Sequence, residues 1–217
     1  MERNFVKEMN YSQVLKYKKP CIITLSGLPG SGKTTLAQEI SRKLKIYLLS
    51  NDYIRNHYSL TKYYNEEQKA HIQSIILKIN SERIYKLLLH HVSFVLDMGF
   101  NAKEQFDKFV LISKLLKYEL IKIKINSSDE DNINRIGQRI FDLNTKDDNI
   151  VGDNISYSCS YPSSIYYEIK ERKPPMLDGV NFDYIIDNMV DKQEFDQNID
   201  QVIKNIKTSK LIVKKYK

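Results

Sequence analysis

The sequence predicts an α/β fold built around a parallel sheet, and three observations carry that prediction. Short apolar runs alternate with helical patterns along most of the chain, which is the rhythm of βα units. A glycine-rich turn, LSGLPGSGKTTL at residues 25–36, joins the first apolar run to the first helical pattern. Two acidic residues, Asp52 and Asp97, follow later apolar runs, at the strand ends where open α/β sheets bind ligands.

Each element follows from its pattern. CIITLS (21–26) reads as a buried strand, and Leu36, Ala37, Ile40 and Leu44 mark one face of a helix starting at Lys33. IYLLS (46–50) is the second strand. A long helical region covers 66–90, with Ile72, Ile75, Ile76 and Ile79 followed by Ile84, Leu87 and Leu88. The phase slips near Ser81, so a bend or break is expected there. VSFVLDM (92–98) is the third strand, and Asn101 is the expected N-cap of a helix to Leu116 with Phe106, Phe109 and Val110 inward. LIKIKIN alternates isoleucine with lysine, which predicts a strand with one less buried face. Ser127 and Glu130 have capping-box spacing for a helix to about Ile140. Residues 141–162 are polar and read as a mobile loop. A helix at 163–172, the break at Pro174 and Pro175, a last strand FDYIID (182–187) and a helix at 192–207 complete the series.

Composition narrows the function classes. With 217 residues, 41% hydrophobic and 28% charged, the chain is expected to fold as one domain around a single core. There is no internal repeat and no linker-like stretch. No apolar run reaches the roughly 20 residues of a membrane span, and MERNFVKEMNYSQ lacks a signal-peptide core, so a cytoplasmic protein without a membrane partner is expected. Cys21 reads as a small core residue, Cys159 lies in a polar stretch, and neither has metal-site spacing. The net charge of +7 suits polyanionic partners such as nucleotides or nucleic acid. Four lysines in the last ten residues, TSKLIVKKYK, equally fit a solvated basic tail.

Gly27, Gly32, Lys33 and Thr34 satisfy G-x-x-x-x-G-K-[ST] between a predicted strand and a predicted helix, the context that gives the motif its meaning. The glycines let backbone N–H groups of the loop converge on phosphate oxygens, which makes Gly27, Leu28, Pro29, Gly30, Ser31, Gly32, Lys33, Thr34 and Thr35 the candidate nucleotide-binding residues. The helix N-terminus adds its dipole, Lys33 neutralises the β and γ oxygens, and the Thr34 hydroxyl is suited to Mg²⁺.

Other residues point to what lies beyond the phosphates. In SNDYIRNHY, Asp52 follows the second strand and Arg55 comes three residues later. Asp52 reads either as a helix-capping acid or as a base for a hydroxyl attacking the γ-phosphorus, with Arg55 holding an anionic acceptor. Asp97 reads as a turn aspartate or as a carboxylate receiving magnesium. Arg135 and Arg139, four apart in DNINRIGQRI, lie either on a solvated helix face or over a triphosphate, where they would stabilise developing charge.

The ordered set GLPGSGKTT, NDYIR, VLDMGF, NRIGQR and FDYIIDN resembles the small P-loop kinases, which include polynucleotide 5′-hydroxyl kinases, zeta-type toxins, chloramphenicol phosphotransferase and adenylylsulfate kinase. Sequences of this kind also carry the label of AAA-family ATPases. The resemblance spans residues 20–207 and implies a three-layer P-loop NTPase fold, a five-stranded parallel sheet in the order 2-3-1-4-5 and an arginine-bearing lid at about 128–165. It implies ATP and Mg²⁺ as ligands, Asp52 as base, Arg55 as acceptor-binding residue, Arg135 and Arg139 as the lid pair, and Asn188 at a loop bordering the adenine. The implied activity is transfer of the γ-phosphoryl to a hydroxyl of a polynucleotide, a nucleotide-like molecule or a small molecule. A P-loop ATPase, or a regulatory or toxin-like module without a small acceptor, is the alternative. Lys103 stands near where many relatives carry an arginine. The N-terminal extension 1–19 and the basic tail 208–217 have no counterpart in the resemblance, and the former leaves room for a protein partner.

The remaining candidates read as structural. His57, His71, His90 and His91 lack metal-ligand spacing. Tyr157, Tyr161, Tyr166 and Tyr167 fit packing as well as base stacking.

Overall fold

The computed structural model describes residues 9–58, 65–100, 102–138, 153, 166–167, 170–171, 177–189, 191–208 and 213–214. Five strands form the main sheet: β2 (Cys21–Ser26), β3 (Tyr47–Ser50), β4 (Phe94–Asp97), β5 (Glu119–Asn126) and β6 (Tyr184–Asp187). Their order is β3-β4-β2-β5-β6 and every pairing is parallel. Counted among themselves in chain order the strands run 2-3-1-4-5, as expected. A second, two-stranded antiparallel sheet joins β1 (Lys16–Tyr17) to β7 (Val213–Lys214). The basic tail therefore contributes at least one ordered pair, which its lysine-rich sequence did not suggest.

Alternation along each strand builds two cores, because successive side chains point to opposite faces of a sheet. Cys21, Ile23 and Leu25 of β2 join Ile121, Ile123 and Ile125 of β5 beneath α1 (Lys33–Leu44) and the last helix, Lys192–Thr208. Ile22 of β2 joins Leu49, Phe94 and Leu96 on the other face, against Leu87 and Phe106. Those two residues belong to α3 (Glu66–Leu89) and α4 (Lys103–Leu116). Helices thus cover both faces, giving three layers. The short α2 (Asn51–His57) follows β3 directly, α5 is Asp129–Gln138, and the last helix, Lys192–Thr208, is α6. Phe195, Ile199, Val202, Ile203 and Ile206 give α6 its buried stripe.

Two expectations about helices are corrected. The α3 helix does not break at Ser81; it runs unbroken from Glu66 to Leu89. Its inner face continues through Ile76, Ile79, Asn80, Arg83 and Leu87, and the two polar members interrupt the apolar periodicity without interrupting the helix. The cap of α5 is Ser128 rather than Ser127: the Asp131 N–H donates to Ser128 Oγ at 3.1 Å, and that hydroxyl donates to Asp131 Oδ2 at 2.7 Å. Asn101 lies outside the described residues; at that turn Gln105 Oε1 accepts from the Ala102 N–H at 3.1 Å.

The loop expected at 141–162 lies outside the described residues except for Asp153, which is 1% exposed. At that position the chain is fixed against the sheet. The Asp153 N–H donates to the Leu48 carbonyl at 2.9 Å, and Asp153 Oδ2 accepts from the Ser50 N–H at 2.8 Å. Leu48 and Ser50 face the open side of edge strand β3, so one residue satisfies backbone groups that a sixth strand would otherwise bind. At the N-terminal side, Val14 is buried in the second core and the Leu15 N–H donates to the Lys45 carbonyl at 2.9 Å. Residues of the extension from Met9 onward thus pack on the domain.

Candidate active site

The phosphate loop lies between β2 and α1, where the sequence places it. Gly30 and Gly32 adopt left-handed backbone conformations, with φ of +82° and +98°. At Gly32 a side chain has no room: a Cβ would lie 2.8 Å from Asn188 Nδ2 and 3.0 Å from the Phe195 ring. The Ser31 N–H closes a turn onto the Leu28 carbonyl at 3.1 Å, and Lys33 Nζ donates to the same carbonyl at 2.7 Å. The lysine ammonium is therefore folded along the loop that it would share with a phosphate. Leu28 and Pro29 are half-buried, Gly27 and Ser31 are buried, and Thr34 and Thr35 sit in the first turn of α1, with Thr35 exposed.

Asn188 takes a place that sequence reasoning did not give it. Buried at the end of β6, it donates from Nδ2 to the Ser31 carbonyl at 2.9 Å, and its own N–H donates to the Asn126 carbonyl at 2.8 Å. It links the last strand, β5 and the phosphate loop. Arg135 reaches the same spot from α5, with NH2 3.2 Å from the Asn188 carbonyl and NH1 3.5 Å from the Gly30 carbonyl. This arginine leaves the core side of its helix, where Ile136 is buried, and lies over the loop. Arg139 lies outside the described residues.

On the other side of the loop, β3 and β4 end together, Ser50 pairing with Asp97 in register. Asp97 is 8% exposed, and Ser50 Oγ stands 3.4 Å from its Oδ2. Two residues past Ser50, Asp52 Oδ1 accepts from Arg55 NH1 at 2.8 Å, both side chains being about one-fifth exposed. The predicted base and acceptor-binding residue are thus brought together, and neither is sealed in the core. Lys103 pairs instead with Asp107, one turn along the exposed face of α4, at 2.7 Å. Tyr166 is fully buried; its hydroxyl donates to Asp129 Oδ1 at 2.7 Å and accepts from Asn132 Nδ2 at 3.1 Å. It is a packing tyrosine.

Against Ser50 and Asn51, at the junction of β3 and α2, lies a polar cluster that the sequence did not reveal. Arg83 grips Asp153 through both terminal nitrogens, NH1 at 2.7 Å from Oδ2 and NH2 against Oδ1. Burial opposes the charge on Arg83, but the Asp153 carboxylate overrides it and holds the guanidinium above its usual pKa. Burial pushes the Asp153 carboxyl up, against the pull of Arg83 and the Ser50 N–H. One turn earlier on α3, Asn80 Nδ2 donates to Asn51 Oδ1 at 2.5 Å.

The donor set fits a phosphate chain with a hard cation. Left-handed glycines, a helix N-terminus, a lysine and an arginine surround the loop, while a threonine hydroxyl and one strand-end carboxylate suit a cation that keeps most of its ligands as water and phosphate oxygen. Among the described residues no three His, Cys, Asp or Glu side chains cluster as a metal cage, and no described helix is long and apolar enough to cross a membrane.

Comparison with known proteins agrees with this architecture. Among solved structures, a kinase candidate from Chloroflexus aurantiacus j-10-fl is similar with a TM-score of 0.60 and 17% identity, over 88% of this chain and 98% of that one. Shikimate kinase from Bacteroides thetaiotaomicron gives 0.52 and 16%, over 86% and 98%. Shikimate kinase from Acinetobacter baumannii, solved with shikimate, gives 0.52 and 18%, over 90% and 97%. At such identities the likeness is one of fold, that of the small P-loop kinases. No curated protein matches the sequence. The sequence model of the AAA domain matches residues 22–149, more than half the chain and including the phosphate loop, Asp52, Asp97 and Arg135. The chain therefore belongs to the AAA domain family.

Proposed function

We propose that this protein is an ATP- and Mg²⁺-dependent phosphotransferase that moves the γ-phosphoryl to a hydroxyl acceptor, a polynucleotide, a nucleotide-like molecule or a small molecule. The observation that carries the reading is the Asp52–Arg55 pair, partly exposed just beyond the ends of β3 and β4. A carboxylate there suits a reaction with a second molecule.

In this reading the loop amides and Lys33 bind the triphosphate. Asp52 takes the proton from the acceptor O–H as its oxygen bonds to the γ-phosphorus and the bond to the bridging oxygen of ADP breaks. Arg55, now held by Asp52, orients an anionic acceptor, and Arg135, with Arg139 following on the chain, offsets charge as it develops. Thr34 and Asp97 would hold the magnesium ion, which when bound shields the β and γ oxygens. Asn188 keeps the loop in its binding shape through Ser31.

One observation favours a second reading, an ATPase or regulatory module without an acceptor: Asp52 Oδ1 already accepts from Arg55 NH1 at 2.8 Å, so an acceptor hydroxyl would compete with that guanidinium for the oxygen. The experiment that separates the two is incubation with γ-labelled ATP and Mg²⁺ against oligonucleotide 5′-hydroxyls, nucleosides, sugars and no acceptor. Label in one acceptor class supports transfer; label only in inorganic phosphate overturns it in favour of the ATPase. Label in oligonucleotides should come with binding that weakens steeply with salt.

A further inference from the structure

We infer that Arg83 and Asp153 are positioning residues that act through Ser50 to hold Asp97 and the first turn of α2 in their working pose, an inference that rests on the phosphotransferase reading above. Three observations converge on the short junction between β3 and α2. The Ser50 N–H is bound by Asp153 at 2.8 Å. The Ser50 hydroxyl faces Asp97 at 3.4 Å. The Asn51 side chain is bound by Asn80 at 2.5 Å. Asn80 and Arg83 lie one turn apart on the inner face of α3, so one helix holds the junction before Asp52 directly at Asn51 and, through Asp153, at Ser50.

The cost of this arrangement argues for a role beyond stability. A buried ion pair is often no more stabilising than well-packed apolar side chains of similar volume. Arg83 and Asp153 are 6% and 1% exposed, and α3 could have filled the same space with another leucine. An apolar plug, however, could not bind the Ser50 N–H. It would leave the Ser50 N–H unsatisfied, and the hydroxyl directed at Asp97 held only from the β4 side. Asp153 is itself oriented three times, by two Arg83 nitrogens and by its own N–H on Leu48, the kind of supporting shell that fixes functional side chains.

The test compares wild type with the double variant Arg83→Met/Asp153→Leu, which removes both charges, and with Arg83→Lys, which keeps the charge but loses the fork. Readouts are thermal melting, Mg²⁺-dependent binding of a fluorescent ATP analogue, transfer kinetics, and amide hydrogen exchange over residues 50–55. In the double variant we expect cooperative melting, kcat lower by about 10- to 100-fold, a KM for ATP within about twofold, a Mg²⁺ half-saturation raised severalfold and faster exchange at 50–55. Should the double variant not fold, Arg83→Lys decides, with a severalfold fall in kcat at unchanged KM expected. A folded variant with wild-type kcat, Mg²⁺ dependence and exchange overturns the inference. If the wild type labels no acceptor, the phosphotransferase reading fails by itself, and the Mg²⁺ and exchange measurements still decide whether Arg83 and Asp153 set the geometry of Asp97 and α2.

Discussion

Asn188 Nδ2 donates to the Ser31 carbonyl at 2.9 Å, so the phosphate loop is held from behind by the last strand of the sheet. The contact lies beside Gly32, where an added Cβ would come within 2.8 Å of the Asn188 amide nitrogen. Gly32→Ala would place a methyl against Asn188 and Phe195 in a left-handed conformation, a backbone strain of about 1–2 kcal/mol before any clash. Nucleotide affinity should fall by about tenfold or more, with a lower melting temperature, in a fluorescent-nucleotide titration paired with thermal denaturation.

In the proposed transferase Asp52 is the base, and Asp52→Asn keeps its shape while removing that function. Transfer to the acceptor should drop by about 10²- to 10⁴-fold, while nucleotide Kd stays within about twofold. Parallel loss of binding and transfer would contradict the assignment.

Arg135 lies against the Gly30 and Asn188 carbonyls and is expected to matter more to the transition state than to the ground state. Arg135→Ala should lower kcat by about 10²- to 10³-fold with a smaller change in KM for ATP, measured by steady-state kinetics. A change confined to KM would assign the arginine to binding alone.

Cys21 is fully buried at the start of the central strand, and burial pushes its thiol up to about 12. With Cys159, which lies outside the described residues, replaced by serine, the folded protein should resist a thiol reagent at pH 8 and react stoichiometrically once denatured. Rapid labelling of the native state would place Cys21 elsewhere.

Lys170 and Tyr166 bind the two oxygens of Asp129 and hold its carboxyl below the usual range. A depressed folded value contributes stability that is present above the unfolded pKa, near 3.9, and is lost as pH falls through the folded value. The Asp129 contribution to stability should therefore stay constant from neutral pH to about 4 and fall below it, read by comparing denaturant titrations of wild type and Asp129→Asn at stepped pH. Asp129→Asn should lose that acid step.

Much of this architecture was legible because burial writes itself into apolar runs. CIITLS is a strand at its expected limits, since the central strand of a parallel sheet is buried on both faces, and LIKIKIN shows its half-covered face directly. The phosphate loop was readable because its chemistry is local. What escaped was non-local and polar. Arg83 and Asp153 are 70 residues apart, and no periodicity announces that two charged side chains will meet inside. The same two polar residues on the inner face of α3, Asn80 and Arg83, made a continuous helix look broken. Neighbouring serines at 127 and 128, each with an acid three residues on, made the α5 cap ambiguous by one position.

The position of β2 also bears on how the protein is made. The central strand is the first of the main sheet to leave the ribosome, yet its partners begin at Phe94 and Glu119. At about 5–20 residues per second, CIITLS waits several seconds with both edges unpaired, an aggregation-prone interval that ends only when distant chain arrives. Substitutions that slow the docking of β4 should therefore reduce the yield of folded protein during synthesis more than they lower the melting temperature of molecules that have already folded.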